Sequence, residues 1–202
     1  MAYMLENPYW FAILGVLIVI TIFVCIKAGA ASSKRYKANE AIIKKLKEEN
    51  LLRNEFSVLT QSLIDSADSA RLFKGVALNL QKKISDATDM NGEFEKLTNE
   101  QKEIYALSFV VEDGGEKLSS FFKANGQPLT GAAFAGFARL FSGRESEIFA
   151  EEYNAYDPEN ETASFIPSEI DKYDTEFAQL VTADAICTTA GNFIKENSEK
   201  FI

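Results

Sequence analysis

Seventeen consecutive residues near the N-terminus, Trp10 to Ile26, read WFAILGVLIVITIFVCI; none is charged, and only Gly15 and Thr21 interrupt the large apolar side chains. At about 1.5 Å per helical residue the run covers about 26 Å, near the lower limit for a hydrocarbon core of about 30 Å. Tyr9 and Trp10 fall where interfacial aromatics belong, and Lys27 closes the other end with an amine that can snorkel to the head groups. A soluble amphipathic helix has a polar face, and this run has none. The sequence therefore predicts a single N-terminal transmembrane helix.

Ala28-Gly29-Ala30 has the small-x-small form of a signal-peptide cleavage site. Against cleavage stand a leader without Lys or Arg, a long apolar run, and Lys27 between that run and the site. A lipoprotein signal fits worse, because Phe23 and Val24 precede Cys25 where small residues are expected. Orientation follows from the flanks. The leader holds one charged side chain, Glu6, while Lys27, Lys34, Arg35, Lys37, Lys44, Lys45 and Lys47 follow the span. The positive-inside rule puts the N-terminus outside and the rest of the chain in the cytoplasm.

Charge divides the remainder. Residues 27–53 carry eight Lys or Arg and three Glu; residues 98–202 carry eight Lys or Arg against nineteen Asp or Glu. A basic collar thus precedes an acidic head. The collar's cations are attracted to anionic lipid within about one Debye length, although topology alone also accounts for them. Ile42, Ile43 and Leu46 form an apolar seam too short for a coiled coil. The acidic head is repelled by nucleic acid as by anionic lipid, which argues against direct DNA or RNA binding and for a basic partner.

The chain has sixteen Phe and no His, so a His-based triad or zinc site is excluded. Its two cysteines, Cys25 in the apolar run and Cys187 near the C-terminus, form no disulfide framework. Organisation is read as an anchor over residues 1–29, a basic juxtamembrane helix over 30–54, and an acidic helical domain over 55–202. Apolar residues recur at helical spacing over 55–87, predicting one bent helix or two, followed by a turn at Asp89-Met90-Asn91-Gly92. Thr98-Asn99-Glu100-Gln101 has the form of a capping box and starts a helix that Gly114-Gly115 ends. The next helix carries Phe121 and Phe122 and stops at Asn125-Gly126, expected as a left-handed cap. Further helices follow Pro128, Ser142-Gly143, Ser168 as cap, and Thr182, with DPENETASFIP as the longest polar loop. No alternation of β-branched residues occurs, so the fold class is all-α.

LTNEQKEIYALSFVVEDGGEKLSSFFKANG, then DKYDTEFAQL and NFIKENSEKF, resembles the bacterial DNA-mimic-protein family over about residues 97–201. The resemblance rests on Gly114-Gly115, Phe121-Phe122, Asn125-Gly126, an Asp before an aromatic near 171–174, and the closing aromatic-Ile-x-Glu-Asn-x-x-x-Phe. Where the family has Asn-Asn-Gly-Gly-Phe, this chain has Glu112-Asp113-Gly114-Gly115-Glu116, and the anchor lies outside the resemblance. The resemblance implies a helical domain in a bacterium, here at the plasma membrane, whose surface carboxylates occupy the DNA-binding face of a protein partner.

The candidate partner-binding face follows from density. Residues 144–176 hold eleven acids against Arg144 and Lys172; the candidates among them are Glu145, Glu147, Glu151, Glu152, Asp157, Glu159, Glu161, Asp171 and Asp174. A solvated surface that only confers solubility is the competing account of such a run. No catalytic residue, metal ligand or cofactor is assigned, and Cys187 reads as core. The expected function is a membrane-tethered interaction module holding a basic protein, by DNA mimicry or as an immunity-type inhibitor of a basic toxin. A structural subunit of a membrane complex is the alternative, and homo-oligomerisation is left open.

Overall fold

A computed structural model describes residues 36, 39–115, 117–156 and 166–202. The predicted anchor lies outside these residues; among them no helix is long and apolar enough to cross a membrane. The chain divides into two compact units, Met1–Glu48 and Glu49–Ile202. In the first, residues 39–48 are helical, and the seam residues Ile42, Ile43 and Leu46 are exposed.

The second unit is built from α1 (residues 49–55), α2 (Gln61–Ser66), α3 (Ser69–Ser85), α4 (Met90–Glu95), α5 (Asn99–Asp113), α6 (Leu118–Ala124), α7 (Leu129–Leu140), α8 (Arg144–Tyr156), α9 (Pro167–Leu180) and α10 (Ala183–Glu196), with no strand among the described residues. Leu52 packs on the core of this unit, and the Arg53 carbonyl accepts from Asn79 Nδ2 (3.0 Å).

Local chemistry sets most boundaries. The periodic stretch over 55–87 divides where Ala67 and Asp68 are extended: Thr60 Oγ1 accepts from Leu63 N (3.3 Å) to start α2, and Asp68 Oδ1 accepts from Arg71 N (3.0 Å) to start α3. The turn expected at Asp89–Gly92 is instead the first turn of α4, since Asp89 Oδ1 accepts from Gly92 N (2.9 Å) and satisfies an N-terminal amide. The capping box forms as read: Gln101 N donates to Thr98 Oγ1 (3.2 Å) and Thr98 N to Gln101 Oε1 (3.4 Å). Gly114 ends α5; a Cβ there would lie 2.6 Å from the Val110 carbonyl oxygen.

Two expectations about caps are corrected. Asn125 is extended (φ −126°), and the one described glycine with positive φ is Gly143, at 68°, so no left-handed cap ends α6. Asn125 stops the helix by side chain instead, its Nδ2 donating to the Phe121 carbonyl (2.9 Å). Ser168 lies inside the first turn of α9, whose N-cap is Ile166 with Pro167 at the first helical position, where a missing N–H costs nothing.

α5 is the central helix, packing against α3, α6, α7 and α10. The small residues of α7 let it come close to α5: a Cβ on Gly136 would lie 3.1 Å from Glu103 Cβ and 3.3 Å from Leu107 Cδ1. The Phe residues fill the space between helices. Phe137 stacks on Phe149 (4.4 Å) and on Phe141 (4.3 Å), joining α7 to α8. Cys187 is buried in this core, and burial pushes its thiol up from the ordinary value, which keeps it unreactive. Glu103 is buried in α5 but paired: Arg139 of α7 donates from Nη2 to Oε1 (2.9 Å), and its Nε lies 2.9 Å from Oε2. Desolvation still holds the Glu103 carboxyl above its usual range, the guanidinium offsetting only part of the effect.

Candidate acidic face and its buried carboxyls

The acids of residues 144–176 separate into groups with different physical roles. Arg144, which opens α8, holds three. Its Nε and Nη2 donate to Glu176 Oε1 (2.8 Å) and Oε2 (2.9 Å) in a two-point pair across to α9, and Nη1 donates to Glu151 Oε1 (3.0 Å) and to Glu147 Oε2 (3.5 Å). The pair with Glu176, then that with Glu151, raises the guanidinium pKa, and Glu176 is lowered in return. Arg144→Ala is expected to lower the melting temperature and to separate α8 from α9, because three carboxylates then face one another unneutralised. The loss should shrink in high salt, and melting curves at two ionic strengths check this.

Two of the candidates are not on the surface. Asp174 is 4% exposed, and both its oxygens bind Ser119 of α6: the amide donates to Oδ1 (2.8 Å) and the hydroxyl to Oδ2 (2.8 Å). Glu152 is 0% exposed, and neither of its oxygens has a hydrogen-bond partner. Desolvation, with a smaller contribution from the nearby Asp174 charge, raises its pKa from 4.5 to about 8, while Lys123 opposes the shift. The Glu152 carboxyl is therefore mostly protonated at neutral pH. Ser119, Lys123 and Tyr156 complete this polar cluster where α6, α8 and α9 meet: Lys123 Nζ donates to Ser119 Oγ (3.4 Å), and the Tyr156 phenol interacts with both.

The other described acids of the segment sit at helix starts or against a lysine. Asp171 is exposed and meets Lys117 Nζ (3.4 Å). Glu145 and Glu147 occupy the first turn of α8 and Glu169 that of α9, where the helix dipole favours carboxylates. Asp157, Glu159 and Glu161 lie outside the described residues. Of the residues that carry the resemblance, Gly114, Phe121 and Phe122 are buried, and Asn125 Nδ2 also donates to Asp113 Oδ2 (2.9 Å). Gly115 follows Gly114 at the end of α5, and Gly126 borders open space.

Density of acids in the sequence did not reveal Ser119, Lys123 or the Arg144 hub. A signal for the buried pair was present. Ile148, Glu152 and Tyr156 recur every four residues, and Ile170, Asp174 and Phe177 follow the same stripe logic. The arrangement neutralises and buries charge; among the described residues no group of three or more His, Cys, Asp or Glu is placed to hold a metal. Comparison with family models, curated proteins and solved structures finds no match to the chain.

Proposed function

We propose that the protein is a membrane-tethered, non-enzymatic interaction module whose acidic helical unit holds a basic partner protein on the cytoplasmic side of a bacterial plasma membrane. The observation that carries this reading is the surplus of negative charge. Residues 49–202 contain 27 of the 30 acids but 14 of the 21 Lys and Arg. At least eight of those cations, including Arg71, Lys102, Arg139 and Arg144, are already in ion pairs within the unit. An excess of unpaired carboxylates raises the association rate of a positively charged protein and repels nucleic acid.

The DNA-mimic version asks more, namely carboxylates spaced like phosphates. Burial of Glu152 and Asp174 and convergence of Glu147, Glu151 and Glu176 on Arg144 withdraw five of the eleven acids of this segment from such an array, so the general acidic surface is the reading preferred. The test is capture by the full-length chain at low and high salt, with Glu145, Glu169 and Asp171 reversed to Lys in a second sample. Retained partner should fall by at least about tenfold between 50 and 500 mM salt and again on charge reversal. Capture indifferent to both would overturn the reading.

A further inference from the structure

Between α6 and α8 lies a cavity of about 220 Å³ lined by Phe122, Asn125, Gly126, Gln127, Thr130, Tyr153 and Tyr156. Aromatic rings supply much of its lining. Phe122 stacks on Tyr156 (5.6 Å) and meets Tyr153 at 6.3 Å, while Tyr153 is held from behind by stacking on Phe134 (4.6 Å). Gln127 Nε2 donates to the Tyr153 hydroxyl (2.9 Å), fixing that ring further.

Every polar side chain of the lining can accept: the Asn125 and Gln127 carbonyl oxygens, and the Thr130, Tyr153 and Tyr156 hydroxyls, which can also donate. Asn125 uses its amide donor group on Asp113 Oδ2 and on the Phe121 carbonyl, which leaves Oδ1 as its acceptor, and Gln127 spends an Nε2 donor on the Tyr153 hydroxyl, which leaves Oε1. Asp113, held by Asn125, brings a carboxylate to the edge. No cation is part of the lining; Lys123 approaches the Tyr156 phenol, and its amine donates to Ser119 Oγ (3.4 Å). Gly126 lines the cavity and is exposed, and a Cβ there would meet nothing within 4 Å. Ring faces, free carbonyl oxygens and a carboxylate at the edge together suit an organic cation, for which aromatic faces and acceptors are the matching partners.

We propose that this cavity receives an arginine side chain of the basic partner, the guanidinium lying against Tyr153 and Tyr156 and donating to Asn125 Oδ1 and Gln127 Oε1. The proposal rests on the basic-partner reading and adds to it a defined anchor point. Arginine is favoured over lysine because a planar guanidinium both stacks on aromatic faces and supplies several donors at fixed angles.

The direct test titrates full-length protein carrying ring-¹³C tyrosine with N-acetyl-arginine methylamide and with its neutral isostere, N-acetyl-citrulline methylamide. The arginine probe should shift the Tyr153 and Tyr156 ring signals saturably, with the citrulline probe at least fivefold weaker. Gly126→Leu fills open space without positive-φ strain and should weaken the arginine probe at least fivefold at unchanged melting temperature. Tyr153→Leu should weaken the arginine probe likewise, with a lower melting temperature because the stack on Phe134 is lost, while Tyr153→Phe, which keeps the ring, should retain most binding. Equal binding of the two probes, silent tyrosine signals, or an unaffected Gly126→Leu would each overturn the proposal. Salt-sensitive capture that survives Gly126→Leu at full affinity would sink the anchor alone and leave the acidic surface standing. Probe binding without any salt-sensitive capture would sink the partner assignment.

Discussion

Glu152→Gln is expected to make the protein more stable in alkaline solution and to remove part of the pH dependence of unfolding. The wild-type carboxyl has a folded-state pKa of about 8, against 4.5 for an unperturbed group. Between those values the native state keeps a proton that the unfolded state has released, so native stability falls as pH rises from about 4.5 to about 8 and then levels off. At 1.36 kcal/mol per unit, the variant should gain on the order of 4 kcal/mol over wild type at pH 8 and above, and almost nothing below pH 4. Urea unfolding of both proteins across pH 4–9 measures the difference directly. A constant difference between the two curves would show that Glu152 is ionised in the native state and that the α6–α8–α9 junction holds a true buried charge. Glu55, Glu93 and Glu176, lowered by their cationic partners, give wild type and variant the same opposite slope, which cancels in the comparison.

Gly191→Ala is expected to be the most damaging small substitution in α10. The new Cβ would lie 2.8 Å from Ser69 Cα and closer still to the Ser69 carbonyl, backbone atoms that move only if the start of α3 moves. That start is pinned from two sides: Ser69 Oγ donates to Asn192 Oδ1 (2.6 Å), and Lys195 Nζ donates to the Ala67 carbonyl (2.6 Å). Alanine would improve helix propensity by about 1 kcal/mol, but overpacking a contact against fixed backbone should cost about 3 kcal/mol or more, so the net effect is a clear loss. Gly126→Ala is the matched control, because the same added carbon meets nothing there. Chemical denaturation should show a large drop in midpoint for the first variant and little change for the second. Equal midpoints would mean that α3 and α10 separate freely at Ser69.

Much of the helical framework was legible in the chain because it is set by chemistry within a few residues. Thr98 and Gln101 form the reciprocal cap that their spacing announces, and Thr182 Oγ1 accepts from Ala185 N (3.1 Å) at the start of α10. Ser142-Gly143 separates α7 from α8 as read, with Gly143 alone among the described glycines adopting the positive φ that favours this residue. The misreadings were local competitions. Asp89 served as a helix cap rather than as part of a turn, and Pro167 claimed the first helical position that displaced Ser168 from the cap.

The acids are where reading along the chain gave way. Eleven carboxylates in 33 residues look like one surface when counted along the chain. Their roles depend on what each helix turns toward, and that is a property of packing. Glu152 and Asp174 fall on the apolar stripes of α8 and α9 and are carried inward with Ile148 and Ile170; Glu147, Glu151 and Glu176 are gathered by one arginine across the α8–α9 contact.

The sequence by itself determined the all-α class, most helix limits, and the excess of acid over base, because caps, glycines and net charge act locally or by simple sum. Only the tertiary structure decided which of the described acids stay at the surface, which are neutralised, and where Phe122, Tyr153 and Tyr156 enclose a cavity. Those outcomes require residues from α6, α8 and α9 to meet, and a contact between distant segments is fixed by the packing of the whole unit rather than by any one stretch of chain.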